Sequence, residues 1–196
     1  MARRTGTRGR VLETAATLFQ RQGYAATGLN QVLAESGAPK GSLYFHFPGG
    51  KEQLAAEAVS ASGLRTGGLM AEVVLAARDP GEALVGLAGL FAASLEASGF
   101  HSGCPVATVA LEAAADSETI RSSCDGVYGS WAEGLSQALR RWGAAPGDAL
   151  PLAELAIAAL QGAILLAKVR QDTTVIHAVA RQLTSHVGRA IHDQGR

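Results

Sequence analysis

Apolar residues return at helical spacing along almost the whole chain. Val11, Leu12, Ala15, Leu18 and Phe19 share one face of a helix predicted over residues 10–22, and Gly23 closes it. The basic, Gly/Thr-rich stretch 1–9 ahead of it reads as mobile, with Thr7 a candidate cap. Thr27 is the candidate N-cap of a short second helix whose inner face is Leu29, Val32 and Leu33. Gly37 makes a turn, and Pro39 suits the first position of a third helix with Leu43 and Phe47 on one side. Pro48-Gly49-Gly50 breaks the chain before a fourth helix, from Lys51 as far as Ala77. Leu54, Ala58 and Ala61 lie on its inner side, and Gly63, Gly67 and Gly68 predict a kink or break.

Five further helices follow. Asp79-Pro80 pairs a cap with a first-position proline ahead of residues 81–97, where Leu84, Leu87, Leu90, Phe91 and Leu95 are core. Pro105 opens the sixth helix, to about Ala115. Ser117 caps the seventh, whose apolar line is Ile120, Cys124, Val127, Trp131, Leu135 and Leu139. Asp148 is the expected cap of the eighth, over residues 149–170. Asp172 or Thr173 caps the ninth, with Ile176, Val179, Leu183, Val187 and Ile191 inward. No segment alternates with period two for long enough to be a strand. The fold class is all-α, about nine helices, with a helix-turn-helix head at 1–50 and a helical body at 51–196.

Composition agrees: 47% hydrophobic and 17% charged residues support a buried core. Net charge is zero, but its distribution is uneven. Residues 1–53 carry seven basic side chains (Arg3, Arg4, Arg8, Arg10, Arg21, Lys40, Lys51) against three acidic ones, Glu13, Glu35 and Glu52. A basic head on an acidic body fits a protein that meets phosphate at one end. Cys104 and Cys124 do not make a metal pattern, and no P-loop, nucleophile-elbow or H-E-x-x-H motif occurs. Neither a metal nor a cofactor is expected, nor is the chain expected to be an enzyme. No signal peptide is apparent, and the longest apolar candidate, Leu155 to Val169, is interrupted by Gln161, Gly162 and Lys168. A cytoplasmic protein without a membrane partner is expected.

Helix, glycine turn and short helix form a helix-turn-helix, whose second element enters the major groove of double-stranded DNA. The stretch GAPKGSLYFHFPGGKEQL at 37–54 resembles the TetR family of one-component transcriptional repressors, and within it the LmrA/YxaF-like branch. A weaker resemblance covers GCPVATVALEAA, beginning at Gly103. Lys40 and Gly41 then start the recognition helix, where Lys40 reaches a base edge or phosphate and Gly41 permits close approach. Ser42 faces the groove, while Tyr44 and His46 donate to phosphate. Thr27 and Lys51 stand at helix N-termini, where free N–H groups and the helix dipole favour an anion. Asn30 and Gln31 are further base-reading candidates, and Arg3, Arg4 and Arg8 supplement the phosphate contacts. Two positions depart from the broader family: Pro39 and Gly28 stand where hydroxyl residues are usual.

The last two helices offer a two-fold seam through Ile157, Leu160, Ile164, Ile176, Val179, Leu183 and Val187. The resemblance implies a homodimer joined there as a four-helix bundle and reading a palindromic operator. It also implies a cavity for a small lipophilic or aromatic effector. The candidate linings are Leu87, Phe91, Cys104, Val127, Tyr128, Trp131 and Gln161, with Phe100 and His101 nearby in sequence. Gln161 stands where the branch commonly has Glu. The competing reading is a helical small-molecule sensor or carrier whose head binds protein.

Overall fold

The helical periodicity becomes nine α-helices, with no strand, among the described residues. The computed structural model describes residues 2–192, with side chains from residue 6 onward. In chain order the helices are α1 Ala2–Gln22, α2 Leu29–Ser36, α3 Ser42–His46, α4 Gly50–Ala76, α5 Pro80–Ala97, α6 Pro105–Ala113, α7 Glu118–Arg141, α8 Pro146–Arg170 and α9 Thr174–His192.

The chain divides into two compact units, and both α4 and α7 cross the division. The first holds residues 1–64 and 104–127; the second holds 65–103 and 128–196. In the first unit α1 packs on α2, α3 and α6. Val11, Ala15, Leu18, Phe19, Val32, Leu43, Phe47 and Leu54 form its core, each with at most 2% exposure. In the second unit α5, α8 and α9 pack on one another. Leu84, Leu87, Leu95, Leu160 and Ile176 are sealed there.

Several helix ends differ from the sequence expectation. Residues 2–9 continue α1 instead of preceding it, so Thr7 lies inside a helix and caps nothing. Thr27 does not cap α2: the N-cap is Gly28, and the Thr27 hydroxyl is buried, donating to the Gly23 carbonyl at 2.7 Å. Pro39 precedes α3, which starts at Ser42 after a turn closed by the Ser42 N–H on the Pro39 carbonyl at 2.9 Å. Asp148 lies in the first turn of α8, whose N-cap is Ala145 with no side-chain cap. Asp79 and Ser117 do cap: their side-chain oxygens accept from the Glu82 N–H at 2.8 Å and the Ile120 N–H at 3.1 Å.

The expected break in α4 is absent; the helix is continuous over 27 residues. Its glycines serve packing. A Cβ at Gly63 would lie 2.4 Å from a Val127 methyl, and one at Gly67 would lie 3.0 Å from Trp131 Nε1. Gly63 and Gly67 are therefore notches that receive two side chains of α7. The reading of the Leu155–Val169 segment also needs correction. By length and composition α8 is long and apolar enough to cross a membrane, although 44% of its apolar stretch is buried inside the protein.

Candidate nucleic-acid interface

The turn between α2 and α3 is set by local chemistry. Gly37 ends α2 in the left-handed region (φ 62°), and its N–H returns to the Ala34 carbonyl. Leu43 and Phe47 anchor the short α3 with no exposure at all. That fixes the opposite face outward. Tyr44 is 65% and Phe45 62% exposed, and Lys40 and Gly41 are exposed beside them. Ser42 and His46 are half-buried; the Ser42 hydroxyl donates to the Pro39 carbonyl at 2.7 Å, and the His46 ring meets the edge of Phe45 at 5.0 Å. Lys40, Ser42, Tyr44 and His46 therefore share one outward element with a cation, a phenol and an imidazole. Phe45, which sequence reasoning set aside, belongs to the same exposed face.

The remaining head residues separate differently. Thr27 is sealed at 1% exposure and its N–H already donates to the Tyr24 carbonyl, so neither group is offered outward. This removes Thr27 from the DNA-facing set. Arg8 pairs with Glu57 and lies over the Phe47 ring, 5.1 Å from its centroid, so it is engaged within the head. The side chains of Arg3 and Arg4 lie outside the described residues. Asn30 is exposed, whereas Gln31 bonds Gln22 and Glu35.

Lys51 opens α4 but is not an unattached cation. Its ammonium donates to the Ala25 carbonyl at 3.2 Å and lies 4.5 Å from the Tyr24 ring centroid. Burial lowers the ammonium pKa below its usual value, opposed by the Glu112 carboxylate. Burial, with Glu52 adding to it, raises the Tyr24 phenol above its usual value. Glu112, at the end of α6, accepts the Ala25 N–H at 2.8 Å. Sequence reasoning did not single out Glu112, because nothing in its helical surroundings distinguishes it from a solvated acid.

Residues 11–58 match the model for bacterial regulatory proteins of the tetR family. Residues 80–182 match the model described as transcriptional regulator LmrA/YxaF-like, C-terminal domain. The chain belongs to the TetR family. It is 38% identical to the HTH-type transcriptional regulator LmrA of Bacillus subtilis (strain 168), over 85% of this chain and 89% of that protein. It is 39% identical to the HTH-type regulator YxaF of the same strain, over 93% and 96%. Among solved structures, a TetR regulator from Chloroflexus aurantiacus superposes with a TM-score of 0.83 at 27% identity, covering 97% of this chain and 98% of that one. A cysteine mutant of the TetR-family regulator CifR, complexed with 26-bp double-strand operator DNA, superposes with a TM-score of 0.77 at 25% identity, covering 90% and 94%. The protein is thus a TetR-family, LmrA/YxaF-like transcriptional regulator with the family's DNA-binding fold.

In this TetR-family regulator the seven effector candidates do not fall in one unit. Cys104 and Val127 belong to the first, and Leu87, Phe91, Tyr128, Trp131 and Gln161 to the second. Val127 is seated against Gly63, and Leu87 is sealed core. Within the second unit the Tyr128 and Trp131 rings meet edge to face at 5.5 Å. The Gln161 Oε1 is buried with no hydrogen-bond partner. A buried amide oxygen left unmatched costs about 1–3 kcal/mol; the Ser136 and Thr184 hydroxyls of the same unit are likewise without a partner.

The seam candidates are also redistributed. Leu160, Ile176, Leu183 and Val187 are at most 5% exposed, and Ile157 and Ile164 reach only 8% and 6%. They are buried within the single chain, where α5, α8 and α9 pack on one another; Val179 alone stays half-buried. What α8 turns outward is Leu155, Ala158, Gly162, Leu165, Leu166 and Val169, with Val169 76% exposed. An open depression of about 380 Å³ between Ala159 and α9 (Ala178, Val179, Arg181, Gln182, Leu183, His186) adjoins this helix.

The two cysteines are free and buried. Burial, with a smaller contribution from Cys104, pushes the Cys124 thiol up to about 11. The thiolate is the reactive form, so at pH 8 only about one molecule in a thousand carries it. Thiol labelling of the native protein at pH 8 should leave Cys124 unmodified over a period in which the urea-unfolded chain reacts fully. Its rate should rise as pH approaches 11. Rapid native labelling at pH 8, read by peptide mass, would contradict this burial.

Proposed function

We propose that the protein is a repressor that binds a palindromic operator as a homodimer and leaves it when a small lipophilic or aromatic effector binds. The observation that carries the reading is the outward face of α3. Two sealed anchors, Leu43 and Phe47, leave Tyr44 exposed and Ser42 and His46 half-exposed on α3, with Lys40 and Gly41 exposed just ahead of it, on a family-matched helix-turn-helix. Lys40 is assigned to a base edge or phosphate, Ser42 to a base edge, and Tyr44 and His46 to phosphate, where contacts set register. Lys51 reaches phosphate from the start of α4, adjusted by its ties to Tyr24 and Ala25. Residues 1–50 form the reading head and 51–196 the effector and dimer body.

A single head buries too little for tight binding; a two-fold pair doubles the contacts and sets half-sites one helical turn apart, about 34 Å. The exposed apolar row of α8 supports pairing through α8 and α9. Tyr128, Trp131 and the unmatched Gln161 oxygen support an aromatic ligand with a hydrogen-bond donor. Effector binding shifts the population of head spacings only as far as it favours one state over the other.

Selection of bound sequences from random duplex DNA tests the reading. The expected result is an enriched inverted repeat whose affinity falls steeply with salt. Absence of any enriched sequence would overturn DNA reading, and an enriched but asymmetric site would overturn the two-fold pairing.

A further inference from the structure

The joint between α1 and α2 is gripped from two distant helices. Ala25 is exposed, yet both of its backbone polar groups are taken by side chains. Its N–H donates to the Glu112 carboxylate on α6 at 2.8 Å, and its carbonyl accepts from Lys51 on α4 at 3.2 Å. The socket for the carboxylate is Gly23. A Cβ there would lie 2.0 Å from Glu112 Oε1, and the backbone stands at φ 87°, where side chains are disfavoured. A carboxylate in the last turn of a helix faces the negative end of the dipole, so α6 alone does not favour Glu at this position. The Ala25 N–H and the nearby Lys51 ammonium compensate for it. A second tie runs alongside: Ser117, the cap of α7, donates to Glu52 beside Lys51.

We infer that Glu112 is a positioning residue for operator binding: by holding the Ala25 peptide against Lys51, it lets α6 set the placement of α2 and α3 for DNA. This rests on the DNA-reading function proposed above. Glu112 itself faces no DNA; it acts through Ala25, Tyr24 and Lys51. Displacement of α6 would release the Ala25 N–H and leave Lys51 tied to an unsupported loop. The Glu112–Ala25 hydrogen bond is thereby one of the ties through which α6 holds the head.

The test compares full-length wild type, Glu112→Ala and Glu112→Gln on the operator obtained by selection. Glu112→Ala should weaken operator binding about tenfold, within the ordinary range of coupling between sites. The Ala25 amide should exchange with solvent faster, and the melting temperature should move by less than about 3 °C, as for an exposed side chain. Glu112→Gln keeps a carbonyl acceptor and should recover affinity to within about threefold, because the neutral bond retains part of the charged one. Wild-type affinity in Glu112→Ala, or no recovery in Glu112→Gln, would overturn the inference. So would a Glu112→Ala protein that melts early while its folded fraction binds normally. If wild type itself selects no DNA, the DNA-reading proposal fails in the control lane and this inference fails with it.

Discussion

Replacing Lys40 with Ala together with Tyr44 with Phe is expected to weaken operator binding by about 100-fold or more while leaving the fold intact. Each protomer loses one cationic contact and one phenolic donor, and a dimer loses each twice. A base or phosphate contact of this kind is worth about 1–3 kcal/mol, so four lost contacts exceed the threshold comfortably even when they add poorly. The slope of log affinity against log salt should also flatten, by about one for each phosphate contact removed. Both side chains are exposed, so stability should change by no more than about 0.5 kcal/mol. Mobility shifts across a salt series, with thermal melting as the control, check both halves. Unchanged affinity in a folded double variant would mean that α3 is not the reading element. Lys51→Ala is a less direct probe, because its loss also removes the tie to the Ala25 carbonyl and the contact with the Tyr24 ring.

Phe47→Ala should cost about 3–5 kcal/mol of stability, the range for emptying a buried aromatic site. Phe47 has no exposed surface, packs in the same core as Leu43 and Leu54, and lies under the Arg8 guanidinium that pairs with Glu57. Phe45→Ala, two positions away on the 62% exposed face, should cost well under 1 kcal/mol. Denaturant unfolding of the two variants separates them. Similar destabilisation by both would show that the outward placement of Phe45 is wrong.

These two phenylalanines show where sequence reasoning stops. The pairing of Leu43 with Phe47 at four-residue spacing identifies the inner face of α3, but it left Phe45 open between buried and exposed. Tyr44 was legible from the same pairing. Thr27 was not. A threonine ahead of an apolar helix reads as a cap, but Gly23 returns the chain so that the hydroxyl meets its carbonyl and is sealed. The glycines of α4 misled for a related reason. In sequence a glycine signals a break, while here Gly63 admits Val127, and that requirement exists only once α7 is alongside.

The seam residues make the same point at larger scale. Ile157, Leu160, Ile164, Ile176, Leu183 and Val187 repeat at helical spacing, and spacing identifies a buried face without saying what buries it. Packing of α5, α8 and α9 within one chain already does so, which leaves the outward row from Leu155 to Val169 exposed.

The sequence by itself determined the class of fold, the helix periods, the Asp79 and Ser117 caps, the helix-turn-helix and the family. These depend on interactions within a few residues, or on a motif that carries its own chemistry. Tertiary structure alone decided that Glu112 and Lys51 meet at one peptide, that Arg8 braces Phe47, and which apolar faces stay uncovered. Those facts depend on residues 26 to 87 positions apart, whose approach no local pattern encodes.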